Sequence, residues 1–163
     1  MKRLFISLML IIAVVSQMSA QSLFKRVHDN ATAVVNNSSS SEQQIQINQF
    51  KVTALNYIMS QVKKSKQERD SYFYDSQAVN LSSFITDFET NIIKARQIST
   101  EKRLAVIKCY REASLQNPLF HDTNKERTYC YVNDTKTYTP FSIDTDWEKA
   151  YDQATEKIKE ILK

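Results

Sequence analysis

Apolar residues return at three- and four-residue steps through much of this chain, the spacing of one face of an α-helix. From about Gln43 to Lys66, Ile47, Phe50, Ala54, Leu55, Ile58, Met59 and Val62 share a face, while Gln49, Thr53, Asn56, Ser60 and Lys63 fill the other. The basic end of this segment, Lys63, Lys64 and Lys66, could bind an acidic partner, but a solvated helix end matched to the dipole is the commoner meaning. Gln67 to Asp75 reads as a connection carrying an aromatic cluster, Tyr72, Phe73 and Tyr74. A second helix is predicted from about Ser76 to Ile98. Its stripe of Leu81, Phe84, Ile85, Phe88, Ile92 and Ala95 is narrow, as in a bundle seam. Ser99-Thr100-Glu101 supplies a capping hydroxyl and a first-turn acid for a third helix, Thr100 to Gln116. The wide apolar arc of Leu104, Val106, Ile107, Cys109, Tyr110 and Ala113 predicts that this helix is the most buried. Asn117-Pro118 ends it, because proline lacks the amide donor and disfavours helix in the residue before it.

The period changes between Pro118 and Asp144. Tyr129 and Tyr131 alternate with Thr128, Cys130 and Val132, Asn133-Asp134 offers a two-residue turn, and Thr135 to Thr139 can return as a partner strand. The helical period resumes with Trp147, Ala150, Tyr151, Ala154, Ile158, Ile161 and Leu162, behind a capping box at Thr145-x-x-Glu148. The expected fold is therefore all-α: a four-helix up-down bundle with a Tyr-rich loop or small β-hairpin inserted before the last helix.

The N-terminal residues follow a different grammar. Lys2 and Arg3 precede the apolar run Leu4 to Val15, and Ser16, Ser19 and Ala20 provide small residues for cleavage before Gln21. The run falls well short of the ~20 residues that span a bilayer. Residues 1–20 are expected to be a signal peptide, 21–44 a flexible tether and 45–163 the helical domain. The mature protein is then periplasmic or secreted, with no transmembrane helix after cleavage. In the tether, Leu23, Phe24 and Val27 support at most a turn or two of helix, and Asn36 to Ser41 reads as a linker. His28 has no neighbour at ligand spacing except Asp29 and is expected to be solvated.

Composition removes whole classes of function. The chain has no glycine, where ordinary usage would supply about eleven. P-loops, dinucleotide fingerprints and nucleophile elbows need glycine for positive φ and for close approach to phosphate, so no cofactor of those kinds is expected. The formal charge of +4 falls to +2 once Lys2 and Arg3 leave. With acids interleaved among Lys94, Arg96, Lys102, Arg103, Lys108 and Arg111, no nucleic-acid partner is expected.

Three groups of residues carry candidate chemistry. Cys109 and Cys130 are the only cysteines and, in an exported chain, an expected disulfide. The other readings are two separate buried small hydrophobes, or one reactive thiol. His121 with Asp122 or Glu126 is the material of a hydrolase, although the neighbours sit in one short loop. Asp144, Asp146 and Glu148 resemble a weak calcium set, yet capping accounts for the last two, so no metal site is expected.

The leading expectation is an exported, non-enzymatic binding protein that meets an unidentified protein or envelope partner through its aromatic insertion. Tyr129, Tyr131, Tyr138 and Phe141 would be the anchors, since aromatic side chains give contact area at low entropic cost. The competing reading makes the same residues a satellite core over the end of the bundle. Two further alternatives are a small exported hydrolase using His121 and an envelope chaperone with an exposed apolar cradle.

Overall fold

The structure, a computed structural model, describes residues 22–123, 128–132 and 138–163. Side chains are described for 22–123 and 139–163, so the expected signal peptide, the turn at Asn133-Asp134 and Glu126 lie outside the described residues.

Helix α1 spans Leu23–Val35, with the Ser22 side chain accepting from the Lys25 amide at its start. Helix α2, Glu42–Ser65, opens on a reciprocal capping box between Ser41 and Gln44. Helix α3, Ser71–Ile98, is capped by Asp70, which accepts from the Phe73 amide. Ser99 alone separates it from α4, Thr100–Gln116, and its hydroxyl accepts from the Lys102 amide. Strands β1, Thr128–Val132, and β2, Tyr138–Ser142, form an antiparallel pair ahead of α5, Trp147–Ile161. The all-α bundle with a hairpin before its last helix is the fold the periodicity predicts.

Helix α1 packs against α2 and α3, α3 against α4 and α5, and α4 against α5. The hairpin fills the side left open between α2 and α4: β1 lies against α2 and β2 against α4. Aromatic rings from α2, α3, α4, α5 and β2 meet in the middle. Phe141 of β2 lies 5.8 Å from Phe50 of α2 and 5.6 and 5.1 Å from Phe84 and Phe88 of α3, centroid to centroid. Tyr110 of α4 and Trp147 of α5 complete the cluster, at 5.0 and 5.4 Å from Phe84. All these pairs are edge-on or tilted, the geometry that sets the positive ring edge against a negative face.

Several boundaries differ from the sequence expectation. Residues 23–35 are a helix within the same core, not a tether: Phe24 and Ala31 are buried, and the Phe24 amide donates to Asp75 Oδ1 at 2.8 Å. Helix α3 begins at Ser71, so Phe73 and Tyr74 are helical and pack on the core instead of lying in a connection. Helix α4 is buried to about the same degree as α2 and α3 along its length, and Leu104 of its expected wide arc and Leu115 at its end face outward. The cap of α5 is Asp146, one residue after the expected Thr145, whose hydroxyl is buried and donates to the carbonyls of Ser114 and Ser142. The returning strand starts at Tyr138, with Val132 opposite Tyr138 as the last pair. This register sets the buried Phe141 opposite Tyr129, and the connection between the strands lies outside the described residues.

Candidate functional site

Hydrogen bonds establish which termini share an end of the bundle. The Asp146 amide donates to the Asn117 carbonyl at 2.7 Å, which joins the close of α4 to the start of α5. Gln77 near the start of α3 accepts from the Trp147 amide at 2.9 Å and donates to Asp146 Oδ1 at 3.2 Å. The last turn of α2 and the loop after Asn117 lie here too, and a cleft of about 500 Å³ opens between them.

Two backbone irregularities flank the cleft. Lys66, which terminates α2, has φ 53°, and His121 has φ 54°; they are the only non-glycine residues at positive φ among the described residues. A left-handed conformation normally falls to glycine, which this chain lacks, and any other residue holds it at a cost of about 1–2 kcal/mol. At His121 the compensation is visible. Asp144, itself buried, accepts from the Phe120 amide through Oδ1 at 2.8 Å and from the Asp122 amide through Oδ2 at 2.7 Å. One carboxylate thus grips the amides on both sides of His121 and fixes the bend between them. Asp144 is held in turn by its amide, which donates to Ser142 Oγ at 3.1 Å.

Asp122, the carboxylate next to His121 in sequence, is engaged with α2. Its Oδ2 accepts from the Tyr57 hydroxyl at 3.1 Å and from Gln61 Nε2 at 3.2 Å. Tyr57 and Phe120 meet edge-on at 6.0 Å beneath this contact. The cleft is lined by Gln61, Lys64, Ser65, Gln67, Arg69 and His121 over an apolar floor of Leu119 and Phe120. The Arg69 guanidinium lies 4.8 Å over the Phe73 ring and donates to Gln67 Oε1 at 2.9 Å. No carboxylate is among these lining residues, so the site presents donors and positive charge.

The other expected residues fall elsewhere. Phe141 is 0 % exposed and belongs to the central core, which removes it from the contact anchors. The side chains of Tyr129, Tyr131 and Tyr138 lie outside the described residues. In the ladder Tyr129 stands opposite Phe141 and Tyr131 opposite Thr139, and both of those β2 positions are fully buried. The expected Cys109–Cys130 staple is not formed in the structure: Cys109 carries a free, buried thiol, directed to the Ala154 carbonyl at 3.9 Å. Burial pushes that thiol up to about 11, away from nucleophilic character. The Cys130 side chain lies outside the described residues; its strand runs along α2. Asp144, Asp146 and Glu148 have separate tasks, Asp146 capping α5 and Glu148 accepting from Ser76. No group of three or more metal-ligating side chains occurs among the described residues. His28 pairs with Asn56 Oδ1 at 3.0 Å and builds no site.

A second, shallower groove of about 390 Å³ lies at the start of α1, lined by Ser22, Phe24, Met59, Ser71, Tyr74 and Asp75. The apolar stripes of α2 and α3 are covered, not open as a cradle. No helix among the described residues is long and apolar enough to cross a membrane. Sequence reasoning named His121 but missed Lys64, Arg69 and Asp144 as parts of one site. Lys64 carried the signal of a helix end or of a basic run for an acidic partner, and Asp144 that of a weak calcium set. The chain gives no significant match to a known family model, a curated protein or a solved structure.

Proposed function

We propose that this is a non-enzymatic binding protein of the cell envelope, and that it holds its partner at the end of the bundle where α2 closes and α4 opens into the hairpin. The observation that carries this reading is the cleft itself. Three separate segments, rigidly held by Asp144, Asp122 and the α2 cap, line it with donor and cationic groups. Binding sites gain from walls fixed in advance, because less freedom is lost when the partner arrives. The partner is placed at this cleft and not at Tyr138 or at Tyr129 and Tyr131, which stand in the ladder opposite the buried Phe141 and Thr139.

The hydrolase reading keeps one point in its favour, since His121 does line a cleft. Against it, Asp122 accepts from Tyr57 and Gln61, so the expected orienting carboxylate serves to hold the loop. A chaperone would need the stripes of two helices uncovered, and those of α2 and α3 are packed.

Affinity capture from the native envelope, with wild type and a Lys64→Glu/Arg69→Glu variant in parallel, tests the proposal. The wild type should retain a partner that the folded variant loses. Equal capture by both would remove the cleft from the account. Ester or peptide hydrolysis by wild type that disappears in His121→Ala would replace binding with catalysis.

A further inference from the structure

We infer that the cleft is a recognition site for a phosphoryl group attached to an organic residue; this rests on reading the cleft as a binding site and names what it binds. The donor groups come from three places in the fold: the Lys64 ammonium in the last turn of α2, the Arg69 guanidinium in the α2–α3 turn, and the His121 ring in the loop after α4. Arg69 is the best prepared of them. Its guanidinium is stacked over Phe73 and tethered to Gln67 Oε1, so its orientation is set before any ligand arrives. Gln67 then has its amide nitrogen available as a further donor, because its oxygen is taken.

The nearby acids are committed elsewhere. Asp70 caps α3 through the Phe73 amide, and Asp122 accepts from Tyr57 and Gln61. Glu68 is exposed and is not one of the residues lining the cleft. The opposing fields are the carbonyl end of α2, equivalent to about half a negative charge, and the Asp122 and Asp144 carboxylates behind the lining, whose neutral donors leave their charge in place. The cleft wall itself carries Lys64 and Arg69 and no carboxylate. That lining favours an anionic ligand, a monoester or a diester, over a neutral polar one.

Size and floor refine the class. A volume near 500 Å³ far exceeds what a bare oxyanion fills, and Leu119 and Phe120 offer an apolar surface beside the charged wall. A phosphate ester meets both demands, with its oxygens at the donors and its organic part over Phe120. The left-handed bend at His121, clamped by Asp144, agrees with strain kept where a ligand is met.

The test is an amide chemical-shift titration of the exported chain with glycerol 3-phosphate, and separately with vesicles of phosphatidylglycerol in a phosphatidylcholine background. Saturable shifts at residues 64–69 and 120–122 are expected from at least one probe. Lys64→Gln and Arg69→Gln should each weaken them by about ten-fold, the scale of one charge-assisted contact. Both substituted side chains are exposed, Lys64 at the end of α2 and Arg69 in the turn after it, so the fold should persist, which the unshifted helix amides verify. Response to the soluble ester alone assigns a free phosphorylated compound, and response to the vesicles alone assigns a lipid headgroup. No saturable shift with either probe overturns the inference, as does an equal response to sodium acetate at matched ionic strength. If capture of the envelope partner still depends on Lys64 and Arg69 in that event, the binding reading survives and only the phosphoryl assignment falls. If wild type instead releases phosphate from a nitrophenyl ester and His121→Ala does not, the phosphoryl site stands and the non-enzymatic reading falls.

Discussion

Phe141 touches Phe50, Phe84 and Phe88 from a strand that the helices alone do not provide. Truncating it empties the point where α2, α3 and β2 meet, so Phe141→Ala should destabilise the fold by about 3–5 kcal/mol. A denaturant melt checks this, and a loss under about 1 kcal/mol would return Phe141 to the surface. Asp144 is the second decisive residue, because both amides flanking His121 end on it. Asp144→Ala leaves those amides without their charged acceptor and should cost about 2–4 kcal/mol. The amides of Phe120 and Asp122 should then exchange rapidly while those of α3 stay protected. Cys109 and Tyr110 make a prediction about pH. Burial raises both, Cys109 from 9.0 to about 11 and Tyr110 further above its ordinary 10.0. The folded chain keeps these protons after the unfolded chain has lost them, so their stabilisation is full below about pH 9 and is lost as pH rises through the folded values. The urea midpoint should be level from pH 7 to 9 and fall steadily above that. For Cys109 alone the loss approaches about 3 kcal/mol, at 1.36 per unit. Cys109→Ala should flatten the early part of that fall.

At the scale of elements, the strongest periods in the sequence became α2, α3, α4 and α5 with little shift. Their stripes are long and their caps at Ser41, Asp70 and Ser99 are local chemistry that a sequence displays. Helix α1 was not legible because it is short, carries the β-branched Val27, Thr32, Val34 and Val35, and runs straight into the polar stretch 36–41. Tertiary contacts supply what propensity does not: Phe24 meets Tyr74 edge-on at 5.5 Å, and Asp75 accepts the Phe24 amide. Deleting residues 22–40 should therefore lower stability by at least the burial of Phe24, about 2–3 kcal/mol. A dispensable tether would leave the melt unchanged. The hairpin was legible as an alternation, but not its register. Its seat on α4 is made by Ser114, whose hydroxyl accepts from the Ser142 amide at 2.8 Å and whose carbonyl accepts from Thr145. A staple at Cys109 is not needed to hold it. Unfolded, unreduced protein should expose the Cys109 thiol to titration, and a chain without titratable thiol would reinstate the disulfide.

For the molecule as a whole, the two ends of the bundle are unlike. One end gathers the αL cap of α2, the clamped His121 loop and the basic cleft. The other is closed by the single-residue turn at Ser99 and by Lys102 donating to the Ile161 carbonyl. Only half of the candidate site was visible in one dimension. His121 stood out as a rare residue type, whereas Lys64, Arg69 and Asp144 become one site only when α2, the α2–α3 turn and the hairpin exit converge. Each of the three had a sufficient local explanation, and nothing in sequence spacing links residue 64 to residue 144. The account therefore turns on where a partner touches. Hydrogen–deuterium exchange of residues 21–163, alone and with solubilised native envelope, reads that location directly. Slowed exchange at residues 61–69 and 119–122, with the outer face of α4 unchanged, is the predicted result. Slowing confined to α4 around Lys108 and Arg111, or no slowing anywhere, would contradict it.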